Sequence, residues 1–102
     1  MIELIHRHRD DLADLCRRYA VRSLEVFGSA ADGSFDPARS DLDFLVEFRP
    51  EAAARPFHGF FDLRDDLAKL FGRKVDLVMP AAIRNPRLRT AVDRQRTPLY
   101  GA

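Results

Sequence analysis

At 102 residues and 11.7 kDa, with 46% hydrophobic and 32% charged residues, the chain has the size of one small domain, residues 1–102, and enough apolar content for one modest core. That apolar fraction and a formal net charge of +1 exclude an intrinsically disordered chain, and no apolar run is long enough to span a membrane. The first twenty residues carry charges throughout with no apolar h-region, so a cytoplasmic location is expected, and the lone Cys16 excludes an internal disulfide and a cysteine-based zinc site.

Residues 2–20 set Ile5, Leu12, Leu15, Cys16 and Tyr19 at helical spacing among Arg and Asp, which predicts an amphipathic helix with Cys16 as a small buried hydrophobe. SLEVFG, residues 23–28, is a short run of strand formers ending on a glycine, and the turn-rich ADGSFDPARS follows it. Residues 41–48 alternate: Leu42, Phe44, Val46 and Phe48 face one way, Asp41, Asp43, Leu45 and Glu47 the other. Pro50 and Pro56 bracket a polar linker. Beyond it Phe57, Phe60, Phe61, Leu63, Leu67, Leu70 and Phe71 predict a helix stopped by Gly72, with the four phenylalanines as core packing. KVDLVM, residues 74–79, reads as a third strand with Val75, Leu77 and Met79 opposite Asp76 and Val78. Residues 86–95 open with Pro86 after Asn85 and predict a short last helix, followed by a tail. The expected fold class is α/β (α+β): a small sheet flanked by helices.

The net charge hides an asymmetry. Residues 23–79 hold seven basic and eleven acidic residues, whereas residues 80–102 hold five Arg against Asp93. An acidic middle beside a basic tail suits a metal site next to a docking or phosphate-contacting surface formed by Arg84, Arg87, Arg89, Arg94 and Arg96, although solvated helix faces produce such imbalances too. His6, His8 and His58 lack metal-ligand spacing and read as surface or boundary residues.

Asp41 and Asp43 lie two apart on a strand, so their carboxylates leave one face with Cα atoms about 6.7 Å apart. Asp76, also opposite its own strand's apolar side, completes a three-carboxylate cluster if the two strands are neighbours. Two such carboxylates repel by roughly 3 kcal/mol at an effective dielectric near 20, and a divalent cation would offset this. Hard oxygen ligands in this number suit Mg²⁺, which accepts phosphate oxygens as further ligands. Gly28 and Ser29 close the first strand, where a glycine lets backbone N–H groups approach a phosphate. Each piece has a plainer reading as a turn or a polar strand face; together they point to a nucleotide.

The segment FGSAADGSFDPARSDLDFLVEF, followed by VDLV, resembles the signature of the polymerase-beta-like nucleotidyltransferase superfamily: G-S, then D-x-D, then a third Asp on a later strand. The Ile83-Arg84-Asn85-Pro86 turn and the closing Leu99-Tyr100 are similar to the minimal nucleotidyltransferases, the MNT antitoxins encoded beside HEPN-domain toxins. The resemblance implies a small mixed sheet flanked by helices. It also implies that Gly28, Ser29 and Ser40 bind the nucleotide, and that Asp41, Asp43 and Asp76 are the catalytic residues and hold two Mg²⁺ ions. The implied activity transfers AMP from ATP to a tyrosine hydroxyl of a partner HEPN toxin and neutralises it. Little chain follows Asp76, so the acceptor is expected to come from another protein, with neither membrane nor direct nucleic-acid binding. The alternative is a catalytically inactive antitoxin that neutralises its partner by binding alone. Eleven residues separate Ser29 from Asp41, and Asp32 lies in that loop.

Overall fold

The computed structural model describes residues 3–28, 30, 36, 38 and 40–101. Helix α1 (Glu3–Arg7) and helix α2 (Arg9–Arg18) replace the single helix expected over 2–20. The helix resets at His8, whose N–H donates to the Ile5 carbonyl three residues back, at 3.1 Å, and whose ring sets its edge against Phe71. Asp10 and Asp11 in the first turn of α2 and Arg17 and Arg18 in its last complement the helix dipole.

Strand β1 (Val21–Phe27) runs antiparallel to β2 (Leu42–Phe48), and β2 runs parallel to β3 (Val75–Val78). A fourth strand, β4 (Thr97–Tyr100), pairs antiparallel with β1 and makes the order β3-β2-β1-β4. This strand corrects the expectation of a plain tail: Pro98 argues against a strand, but a proline that cannot donate to a ladder is tolerated on an edge.

Between β2 and helix α3 (Phe60–Phe71) the chain makes two 3-10 turns, Pro50–Ala54 and Pro56–Gly59. Phe57, His58 and Gly59 all have left-handed backbone, φ 52°, 59° and 76°, so α3 begins at Phe60 and not at Phe57 as its apolar spacing suggested. Left-handed backbone costs a non-glycine residue roughly 1–2 kcal/mol. Gly72, at φ 64°, ends α3 as expected.

The core lies between one sheet face and helices α1 to α3. Leu24, Val26, Leu42, Phe44, Val46, Val75 and Leu77 meet Ile5, Leu12, Cys16, Leu63, Leu67 and Phe71, with the Phe44 and Phe71 rings stacked at 5.9 Å. Alternation along the strands then sends Asp43 and Asp76 to the opposite face. Leu45, on that same face, is nonetheless buried. Two of the four phenylalanines expected in the core are outside it: Phe57 is 73% exposed and Phe61 46% exposed.

Helix α4 (Pro86–Gln95) is capped by Asn85, whose Oδ1 accepts from the Arg87 N–H at 2.9 Å, and it buries Val92. Arg96, just beyond it, donates to Glu25 on β1 and to Asp93. Among the described residues no helix is long and apolar enough to cross a membrane.

Candidate active site

The parallel pairing of β2 with β3 makes Asp43 and Asp76 register partners. Their side chains leave the same sheet face and lie within hydrogen-bond reach of each other. Partial burial, this contact, the charge of Asp76 and the charge of Asp41 push the Asp43 carboxyl up to about 6, with Lys74 opposing them. Repulsion is thus built into the site.

Asp41 stands one residue before β2, half-exposed, with Lys74 Nζ 3.8 Å from its carboxylate. The structure therefore brings Asp43 and Asp76 together and turns Asp41 toward a lysine. Among the described residues no three His, Cys, Asp or Glu side chains form a ready metal-holding group.

Gly28 ends β1 at φ 70°, directly after Phe27, the register partner of Asp43. A Cβ on Gly28 would run into Oδ2 of Asp43. The glycine is needed twice over, for its backbone conformation and for the carboxylate beside it. Ser29 and Asp32 lie outside the described residues. Ser40 closes the loop before Asp41: its N–H donates to the Asp36 carbonyl at 2.8 Å, its Oγ accepts from the Asp36 N–H at 2.9 Å, and its carbonyl accepts from Arg73 at 3.2 Å.

The two aspartates line a cleft of about 580 Å³ that wraps round the outer edge of β3 to α3. Arg64 and Lys74 bring positive charge into it, two residues that the sequence reasoning did not select. Lys74 was within reach, since strand alternation puts it on the Asp76 face; Arg64 follows buried Leu63 on α3, and no local pattern marks it. Asp65, paired with Arg64 at 3.6 Å, also lines the cleft, so an anionic oxygen entering it meets both signs of charge.

Other candidates resolve differently. Cys16 is fully buried, and burial pushes its thiol up to about 12. His6 and His58 are exposed and His8 is partly so. In the basic tail Arg84, Arg87 and Arg94 are exposed, whereas Arg96 is tied to Glu25 and Asp93, and Arg89 donates to the Pro80 carbonyl and pairs with Asp93.

Residues 9–97 match the family described as nucleotidyltransferase domain. The chain belongs to the nucleotidyltransferase family. This nucleotidyltransferase is 35% identical over 91 residues to the Methanocaldococcus jannaschii protein MJ0128, to which protein adenylyltransferase activity is ascribed, a match covering 89% of this chain and 86% of the relative. Its fold superposes on a solved minimal nucleotidyltransferase with a TM-score of 0.73 at 34% identity, covering 95% of this chain and 96% of the other. It also shares its fold, at TM-score 0.63 and 20% identity, with a chain of the solved complex of tri-AMPylated Shewanella oneidensis HEPN toxin with MNT antitoxin, covering 95% of this chain and 72% of that one.

Proposed function

We propose that this nucleotidyltransferase is a Mg²⁺-dependent, single-domain cytoplasmic enzyme that transfers AMP from ATP to a tyrosine hydroxyl of a partner HEPN-domain toxin and so neutralises it. The observation that carries the reading is the Asp43–Asp76 pair: two carboxyl groups held in hydrogen-bond contact at an open cleft. Such a pair is destabilised when both are ionised, and hard oxygen donors of this kind suit a divalent cation, so the donor set fits Mg²⁺. Asp43 and Asp76 would hold it, with Asp41 recruited from its contact with Lys74. Two bound Mg²⁺ ions would supply positive charge against the triphosphate.

The remaining chemistry belongs to the chain. Gly28 leaves backbone room for phosphate, Ser29 and Ser40 are assigned to nucleotide binding, and Arg64 and Lys74 offer charge to the departing pyrophosphate. The acceptor tyrosine oxygen attacks the α-phosphorus, the bond to the β-phosphate oxygen breaks, and Asp76 takes the hydroxyl proton. A second reading, an antitoxin acting by contact alone, is favoured by one observation: Asp41 faces Lys74 and leaves the carboxylate set at two.

Isotope position separates the readings. With the partner toxin and Mg²⁺, label from α-labelled ATP should enter the partner while γ-label leaves as pyrophosphate. A partner that binds tightly and takes up neither label overturns the enzymatic reading in favour of contact alone.

A further inference from the structure

Among the described residues strand β3 has β2 on one side and no strand on the other. The Leu42 N–H donates to the Lys74 carbonyl at 3.2 Å, and Asp43 pairs with Asp76, so the backbone groups of Lys74 and Asp76 point toward β2. By alternation the N–H and C=O groups of Val75 and Leu77 point outward, along the free edge. A free edge with unpaired donors and acceptors is a template for another strand.

Beside this edge lies an apolar groove of about 340 Å³ lined by Phe57, Phe60, Phe61, Leu77, Met79 and Ala82. It adjoins the carboxylate cleft, since Leu77 and Val78 line both. The exposed rings are organised: Phe57 sets its edge to Phe61 at 5.4 Å, and Phe61 to Phe60 at 5.2 Å. Phe57 and His58 both adopt left-handed backbone, a conformation that costs a non-glycine residue free energy.

We propose that the free edge of β3 and the Phe57–Phe61 groove together dock an extended, apolar-anchored segment of the acceptor protein, adding it as a fifth strand that leads its hydroxyl to Asp76. The proposal rests on the reading of the cleft as a site of transfer to a protein hydroxyl. The adjacency of groove and cleft selects this occupant over a second copy of the chain, because a segment seated on Leu77 and Val78 reaches both the groove and Asp76. Met79 is three residues from Asp76, about 10 Å along a strand. The anchor is therefore an aromatic or large aliphatic side chain two to four residues from the acceptor. Main-chain bonds give affinity in this mode, and the pocket gives specificity.

The test follows amide hydrogen exchange of the full chain alone and with the partner HEPN-domain toxin, together with steady-state label transfer by wild type and a Phe57→Ser/Phe61→Ser variant. The expected result is at least tenfold slower exchange at the Val75 and Leu77 amides on adding partner. The variant is expected to show at least a tenfold rise in partner KM, with Mg²⁺-ATP binding and kcat within twofold. Unchanged exchange at both amides in the bound complex, or a wild-type KM in the variant, overturns the docking mode while leaving the transfer reading intact. Slowed exchange that depends on chain concentration alone assigns the edge to a second copy and overturns it likewise. Wild type that binds Mg²⁺-ATP yet labels no partner defeats the transfer reading itself, and this proposal with it.

Discussion

Asp43 of β2 and Asp76 of β3 face each other across a parallel strand pair with their carboxyl groups in hydrogen-bond contact. Parallel register alone produces this: once Leu42 aligns with Val75, the next residue on each strand is an aspartate, and both turn to the same face. The contact disfavours the ionised Asp43 carboxyl in the absence of a cation, and it is the source of the first expectation.

The Asp43 carboxyl is pushed from 3.8 up to about 6, so the folded chain binds that proton more tightly than the unfolded chain. Its contribution to stability is complete below pH 3.8 and is lost as pH rises through about 6. Denaturant titrations in EDTA should therefore show wild type losing stability across this window relative to Asp43→Asn. The difference should be about 1 kcal/mol, well below the full worth of the shift because the group is partly exposed. With Mg²⁺ present, activity should rise with pH through the same window, since a protonated carboxyl does not bind the metal. Parallel stability curves for the two proteins would contradict a raised Asp43 carboxyl.

Gly28→Ala tests the other side of the same carboxylate. The added Cβ meets Asp43 Oδ2, and the left-handed backbone at Gly28 disfavours any side chain. Stability should fall by about 1–2 kcal/mol, and transfer should fall further than stability accounts for, because Asp43 is displaced. Thermal melts and turnover on one preparation check this. A variant with lowered stability and wild-type turnover would separate Gly28 from the site.

Much of this arrangement could be read from sequence, and the limits have physical causes. The strict alternation of residues 41–48 put Asp43 opposite the core face, and the short KVDLVM run did the same for Asp76. Their adjacency could not be read, because strand order is set by long-range packing. Phe57 was misplaced because apolar spacing continues through it, while the left-handed run at Phe57, His58 and Gly59 ends that continuity in the backbone. β4 was missed because Pro98 contradicts strand propensity and only its edge position resolves the conflict. Arg64 carries no pattern at all: its place in the cleft follows from how α3 lies beside β3.

The left-handed backbone at Phe57 predicts a trade-off. Phe57→Gly removes an exposed ring and adopts φ 52° without strain, so the chain should gain about 0.5–1 kcal/mol in denaturant unfolding. The same substitution should weaken partner binding. A destabilised Phe57→Gly protein would mean that the ring is held by packing, contrary to its exposure.

Arg96 separates structural from functional charge in the basic tail. It joins the end of α4 to Glu25 on β1 and to Asp93, and its removal leaves Glu25, whose side chain is only 16% exposed, without that partner. Arg96→Ala should cost about 1–2 kcal/mol in stability, whereas Arg87→Ala, at an exposed position, should stay within about 0.5 kcal/mol. Equal effects in chemical denaturation would contradict this division.

The most direct test of the central claim, that the Asp43–Asp76 pair carries nucleotidyl transfer, is label transfer from α-labelled ATP to the partner by wild type, Asp43→Asn and Asp76→Asn under identical Mg²⁺. Wild type should label the partner, and each variant should fall by at least about a thousandfold while keeping its fold by circular dichroism. Either variant transferring label at a rate near wild type would contradict the claim.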